Sequence, residues 1–222
     1  MLTLKTDKKY LDSLISLLKL HYPNAKIALK FSNHWELLVA VILSAQCTDI
    51  LVNKVTEKLF KKYGSIKDYA NADIREFEQD IKSTGFYHNK AKNIQAVANL
   101  ILEKFKGHVP NKMEDILTLA GVARKTANIV LGNAYGIVEG IAVDTHVARL
   151  SNRLGLTNNI NPIKIEQDMM KLFDKKDWFK LTYLLIDHGR AICQAKKPKC
   201  DACFLNKICP CAFQFPHFTN KY

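Results

Sequence analysis

A chain of 222 residues, 48% hydrophobic and 24% charged with only nine Gly and six Pro, has the composition of one or two compact globular domains and excludes a disordered or fibrous chain. Thirty-three Lys and Arg against 21 Asp and Glu leave a net charge of +12, which points to a polyanionic partner, nucleic acid first and an anionic membrane second. The longest apolar run, Leu37 to Cys47, is too short to span a bilayer, and Met1 to Lys5 lack the start of a secretory leader, so a cytoplasmic protein is expected.

Taken in chain order, Tyr10, Leu11, Leu14, Ile15, Leu17 and Leu18 recur at helical spacing, and this first amphipathic helix stops before Pro23. Asn33 followed by Glu36 reads as a capping-box-like start for a helix through Ala45, apolar on nearly every side and therefore buried. Helical patterns then run over Val52 to Tyr63, Ile74 to Ser83, Lys90 to Phe105 and Met113 to Leu119, punctuated by Gly64, Gly85 and Gly107 to Pro110. A helix from about Arg124 to Ala134 ends near Gly136. Asp144, Asn161 before Pro162, and Asp177 mark three more helix starts, the last helix ending near Gly189. No segment sustains strand alternation, so the fold class is all-α.

Five of the six cysteines crowd the C-terminal tail, a clustering that reads as metal binding rather than disulfide formation. Cys193, Cys200, Cys203 and Cys209 follow the spacing C-x6-C-x2-C-x5-C, which can gather four thiolates around one centre; zinc and iron-sulfur both satisfy it. Cys211 is a bystander and Cys47 a core residue.

Leu119 to Ala127 joins two short helices through a tight turn at Gly121, and the start of the second helix suits a phosphate. Lys125 falls in the first turn of that helix, where the positive end of the dipole and the neighbouring Arg124 favour the neutral amine. An ordinary lysine, with a pKa of about 10.4, holds less than roughly 0.1% of that form at pH 7. The plain alternative is a solvated helix lysine. Asp144, in Val143-Asp144-Thr145-His146, serves as a helix cap, a carboxylate that assists chemistry, or both.

The segments Leu119 to Ala127 and Val143 to His146, with the four-cysteine spacing, resemble the endonuclease III family of helix-hairpin-helix DNA glycosylases. The resemblance implies Lys125 as the Schiff-base nucleophile, Asp144 as the catalytic aspartate, and Cys193, Cys200, Cys203 and Cys209 as ligands of a [4Fe-4S] cluster. It implies a helix-hairpin-helix DNA glycosylase fold: a six-helix barrel domain over residues 27–137 and an iron-sulfur cluster domain made of residues 1–26 with 138–222, flanking a deep cleft. The family pattern Leu-Pro-Gly-Val-Gly has Ala120 and Ala123 at its Pro and second Gly here. A positive φ at Ala123 would strain the turn and loosen its hold on phosphate, so Ala123→Gly is expected to tighten DNA binding.

DNA contacts are expected at Gly121, Ala123 and Arg124 of the hairpin and at Lys196, Lys197 and Lys199 between the first two cysteines, a run that otherwise reads as solvated charge. Gln46, in Ser44 to Asp49, resembles the family glutamine that enters the duplex, and Phe86 the apolar wedge. Lys90, in Asn89 to Asn93, is expected to meet the phosphate backbone at a helix start. His146 reads as a hydrogen-bonding neighbour of the site.

The resulting expectation is a bifunctional glycosylase and AP lyase of base excision repair. It would act as a monomer, in the nucleoid, on double-stranded DNA holding oxidised pyrimidines or abasic sites. The rivals are a monofunctional mismatch glycosylase, whose kind usually lacks a lysine at position 125, and a non-catalytic helix-hairpin-helix DNA-binding protein with a structural metal.

Overall fold

The computed structural model of the protein describes residues 4–219, and among them every helix or strand assigned is a helix. Met1 to Thr3, on which part of the leader reading rested, lie outside the described residues. In chain order the α-helices are α1 (Lys8–His21), α2 (His34–Leu43), α3 (Asp49–Lys62), α4 (Ile66–Asn71), α5 (Ile74–Ile81) and α6 (Tyr87–Lys104). They continue with α7 (Met113–Ile116), α8 (Arg124–Tyr135), α9 (Thr145–Arg153), α10 (Pro162–Leu172), α11 (Lys175–Ala191) and α12 (Pro216–Thr219). Short 3-10 turns sit at Lys82–Thr84 and Cys200–Ala202. No helix of the described residues is long and apolar enough to cross a membrane. The chain divides into two compact units, residues 27–139 and residues 1–26 with 140–222.

In the unit 27–139, α2 is central. Asn33 caps it by accepting the Glu36 N–H at 2.9 Å, while the Glu36 carboxylate accepts from the N–H and hydroxyl of Ser32, so the reciprocal bond closes one residue before the cap. Leu37 to Leu43 are all buried, as the apolar run requires. Each buried leucine of such a run contributes roughly 1.5–3 kcal/mol over its exposed state. The stripe Ala91, Ile94, Val97, Ala98 and Ile101 of α6 and Ala127, Val130 and Leu131 of α8 complete the core, with Trp35, Tyr63, Tyr69 and Phe77 in ring contacts of 5.2–5.7 Å. Helix α4 is absent from the sequence reading; a Ser65 and Asp68 capping box starts it. Five boundaries shift by two or three residues: α2 ends at Leu43 rather than Ala45, α3 starts at Asp49 under a Thr48 cap, α5 ends at Ile81 rather than Ser83, α6 starts at Tyr87, and α7 stops at Ile116.

In the other unit, Leu11, Leu14, Ile15 and Leu18 are buried as α1 packs on α11, while the Tyr10 hydroxyl donates to Leu154 O at 2.8 Å. Helix α9 packs on both α10 and α11. Asn161 caps α10 with Pro162 in its first turn. Helix α11 starts after Asp174 rather than at Asp177. Asp177 is buried instead, and its carboxylate accepts from Lys19 Nζ at 2.6 Å.

Candidate active site and metal centre

The hairpin turn is built on Gly121, whose φ of +75° lies in the left-handed region. A Cβ there would stand 2.6 Å from Asn93 Nδ2 on α6, so the backbone angle favours glycine and any larger residue would have to push the Asn93 side chain aside. Ala123, the N-cap of α8, has φ −95° and ψ 171°. That is ordinary extended backbone, so the strain expected at Ala123 does not arise; the single left-handed residue of the turn is Gly121. Ala123 offers no side-chain cap, and the positive end of α8 is therefore open to an anion. Lys125 is the second residue of α8 and half-buried, and Arg124 Nη2 donates to Glu139 O at 3.5 Å.

Asp144 is the N-cap of α9: its Oδ1 accepts the Val147 N–H at 2.8 Å, and the side chain is half-buried. The rest of α9 grips the cysteine segment. Arg149 donates to Cys193 O and Gly189 O and lies 3.1 Å from His146 Nδ1. Arg153 donates to Gln194 O at 2.8 Å and Ala195 O at 2.7 Å, sits 3.3 Å from Cys193 Sγ, and covers the Phe215 ring at 4.6 Å. Neither arginine was singled out from sequence; their spacing of four residues on one helix face is the signal that was present.

Cys193, Cys200, Cys203, Cys209 and Cys211 line one pocket with Arg153, His188 and Leu205. Burial, with neighbouring thiols adding to it, pushes the Cys209 thiol up to about 12 and raises Cys203 and Cys211 as well. Thiols so crowded ionise readily only against a positive centre, and a donor set made of sulfur fits an iron-sulfur group. Among the described residues no three or more His, Cys, Asp or Glu are grouped to hold a single metal ion. Burial also pushes His188 down to about 4, so its ring is neutral; Tyr22 Oη lies 3.1 Å from Nδ1 and Cys203 Sγ 3.6 Å from Nε2. The exposed Lys196, Lys197 and Lys199 stand on a loop whose backbone is fixed by Arg153, by the Lys199 N–H to Ile192 O, and by His217 against Pro198 O.

Gln46 and Phe86 are both exposed and both left-handed, with φ of 53° and 49°. Lys90 overturns its expected role as a phosphate contact. It is only 5% exposed, its Nζ donates to Leu43 O at 2.8 Å and Thr84 O at 2.9 Å, and its N–H donates to Phe86 O inside α6. The cause is helical phase: Lys90 stands four residues before Ile94 and seven before Val97, on the buried face of α6. Cys47 is partly buried and packs on the core.

Residues 39–175 match the family model of the HhH-GPD superfamily base excision DNA repair proteins, and residues 193–209 that of the iron-sulfur binding domain of endonuclease III. The chain is 51% identical to the endonuclease III of Synechocystis sp. over 93% of its own length and 94% of the relative's. With the endonuclease III of Bacillus subtilis it shares 45% over 94% of each. A solved structure of a trapped endonuclease III-DNA covalent intermediate superposes with a TM-score of 0.88 at 41% identity, covering 92% of this chain and 96% of that one. The chain thus belongs to the endonuclease III family, base excision repair enzymes with the helix-hairpin-helix glycosylase fold, DNA glycosylase and AP lyase activity, and a [4Fe-4S] cluster.

Proposed function

We propose that this enzyme excises oxidised pyrimidines from double-stranded DNA and cuts the resulting abasic site by β-elimination, with Lys125 as nucleophile and Asp144 as the assisting carboxylate. The observation that carries the reading is the hairpin: a turn that favours glycine feeding an uncapped helix start whose second residue is a lysine. In this reading a lesion phosphate docks at Gly121, Ala123 and Arg124. Lys125 then stands in the first turn with its amine for the sugar.

The Lys125 amine attacks C1′ of the extruded nucleotide, and the bond from C1′ to the base breaks as the base leaves with a proton. The C1′–O4′ bond then opens, with a proton going to O4′, to give the protonated Schiff base; this acidifies the C2′ proton, whose removal expels the C3′ oxygen with its phosphate and cuts the strand 3′ to the lesion. Asp144 holds one oxygen on the Val147 N–H, which fixes the carboxylate while the other oxygen is available to the reacting sugar. Gln46 fills the gap in the stack and Phe86 wedges beside it. Cys193, Cys200, Cys203 and Cys209 hold the cluster, which supplies a rigid support for Lys196, Lys197 and Lys199 against the phosphate backbone. The domains in this reading are a six-helix barrel over 27–137 and a cluster domain of 1–26 with 138–222. The enzyme works as a monomer on the cytoplasmic nucleoid.

Borohydride trapping on duplex DNA with a thymine glycol tests the chemistry. Wild type is expected to form a covalent adduct mapped to Lys125, and Lys125→Gln none. Base release without strand scission or adduct would make the enzyme monofunctional, and an adduct on another residue would refute the assigned nucleophile.

A further inference from the structure

Helix α2 ends at Leu43 and the 3-10 turn at Thr84, so both carbonyls fall where helical partners run out. One group serves both: Lys90 Nζ donates to Leu43 O at 2.8 Å and to Thr84 O at 2.9 Å. A cation at the carboxyl end of two helical segments also meets the negative end of each dipole. No other lysine among the described residues is buried.

The chain beyond each of these carbonyls is what matters. Three residues past Leu43 stands Gln46, and two past Thr84 stands Phe86, each left-handed without being glycine. A residue with a Cβ keeps that conformation only where the flanking structure imposes it. Neighbouring hydroxyls close the same two ends: Ser44 Oγ donates to Val41 O and Thr84 Oγ1 to Ile81 O, both at 2.8 Å.

We propose that Lys90 is a positioning residue whose ammonium ties the end of α2 to the end of the Lys82–Thr84 turn and thereby sets Gln46 and Phe86 at the separation needed to enter one opened base step. The functional half of this inference rests on the roles given above to Gln46 and Phe86. The tie itself does not.

Lys90→Met keeps an unbranched chain of similar length without donors, and Lys90→Arg keeps the charge and the donors. In Lys90→Met, amide exchange is expected to quicken at Ser44, Ala45 and Cys47 and also at Gly85, whose N–H groups all donate within these two turns, with the core amides of α8 unchanged. Quickening on one side only, or on neither, overturns the tie. Single-turnover excision of thymine glycol from duplex DNA is expected to slow roughly tenfold to a hundredfold, the range for losing hydrogen bonds to a charged group. Elimination at an abasic site in single-stranded DNA, which has no stack to open, should stay within about twofold on that same scale, and Lys90→Arg should recover most of the duplex rate.

In a Gln46→Ala, Phe86→Ala background the Lys90→Met effect is expected to vanish. Equal slowing on both substrates, or an undiminished effect in that background, overturns the positioning role. Should Lys90→Met fail to fold, Lys90→Gln, whose shorter amide cannot hold both carbonyls, carries the same comparisons. A wild type unable to act on thymine glycol would refute the functional reading instead, and the exchange measurement would still decide the tie.

Discussion

Helix α2 and the segment 193–211 are both fixed in place, but by opposite means. From Leu37 to Leu43 every side chain of α2 is buried and apolar. Across 193–211 only Pro198, Cys200, Leu205 and Cys211 are buried, and the backbone is held by arginine hydrogen bonds and by cysteines around one pocket. Hydrophobic packing orders the first stretch, whereas ligation and polar bonds order the second. The same chain therefore has two independent ways to fail.

The largest separation is expected from the metal. Cys203→Ala, or removal of iron from the wild type, should bleach the visible absorption and speed protease cleavage within 193–219 at least about tenfold, leaving the fragment 27–139 resistant. Uniform loss of resistance in both units would erase the contrast. In the opposite direction, Leu38→Ala should cost about 2–5 kcal/mol in urea unfolding while the iron absorption per folded molecule stays constant. A cluster lost in step with that packing defect would show that the two regions are not separable.

Smaller effects sharpen the comparison at the DNA-facing turns. Gly121→Ala combines a positive φ with a Cβ 2.6 Å from Asn93, and should cost on the order of 1–2 kcal/mol of stability and weaken duplex binding. Each of Lys196→Ala, Lys197→Ala and Lys199→Ala should lower the slope of log affinity against log salt by about 1 without moving the melting temperature. An unaltered slope would make that loop a solvated bystander. Ala123→Gly should leave DNA affinity unchanged, because φ at 123 is already one that alanine adopts freely; tighter binding would show that the DNA-bound turn is reshaped.

Much of this was legible in the sequence because it is local. Asn33, Asp144 and Asn161 announce helix starts through oxygens that reach N–H groups two or three residues on, and Gly136 announces an end through its left-handed φ. The four-cysteine spacing is local in the same sense. Helix α4 was hidden because six residues are too few for a period to show, although its Ser65 and Asp68 box was there to read. Lys90 was misplaced because its charge outweighed its register: it stands four residues before Ile94 and seven before Val97, on the apolar stripe of α6. The left-handed turns at Gln46 and Phe86 left no local trace, since neither residue is of a type that favours them. The ammonium proposed to hold them reaches carbonyls 47 and 6 residues from Lys90, at Leu43 and Thr84, a pairing that no local pattern announces.

Gly189 lies on α11 where a Cβ would stand 2.8 Å from His146 Nδ1 and 3.0 Å from Arg149 Nη2. A larger residue at 189 would therefore have to displace the His146 ring or the Arg149 guanidinium, which lies 3.1 Å from that ring and donates to Gly189 O. Room at position 189 is thus tied to the grip that Arg149 keeps on the first cysteine of the tail.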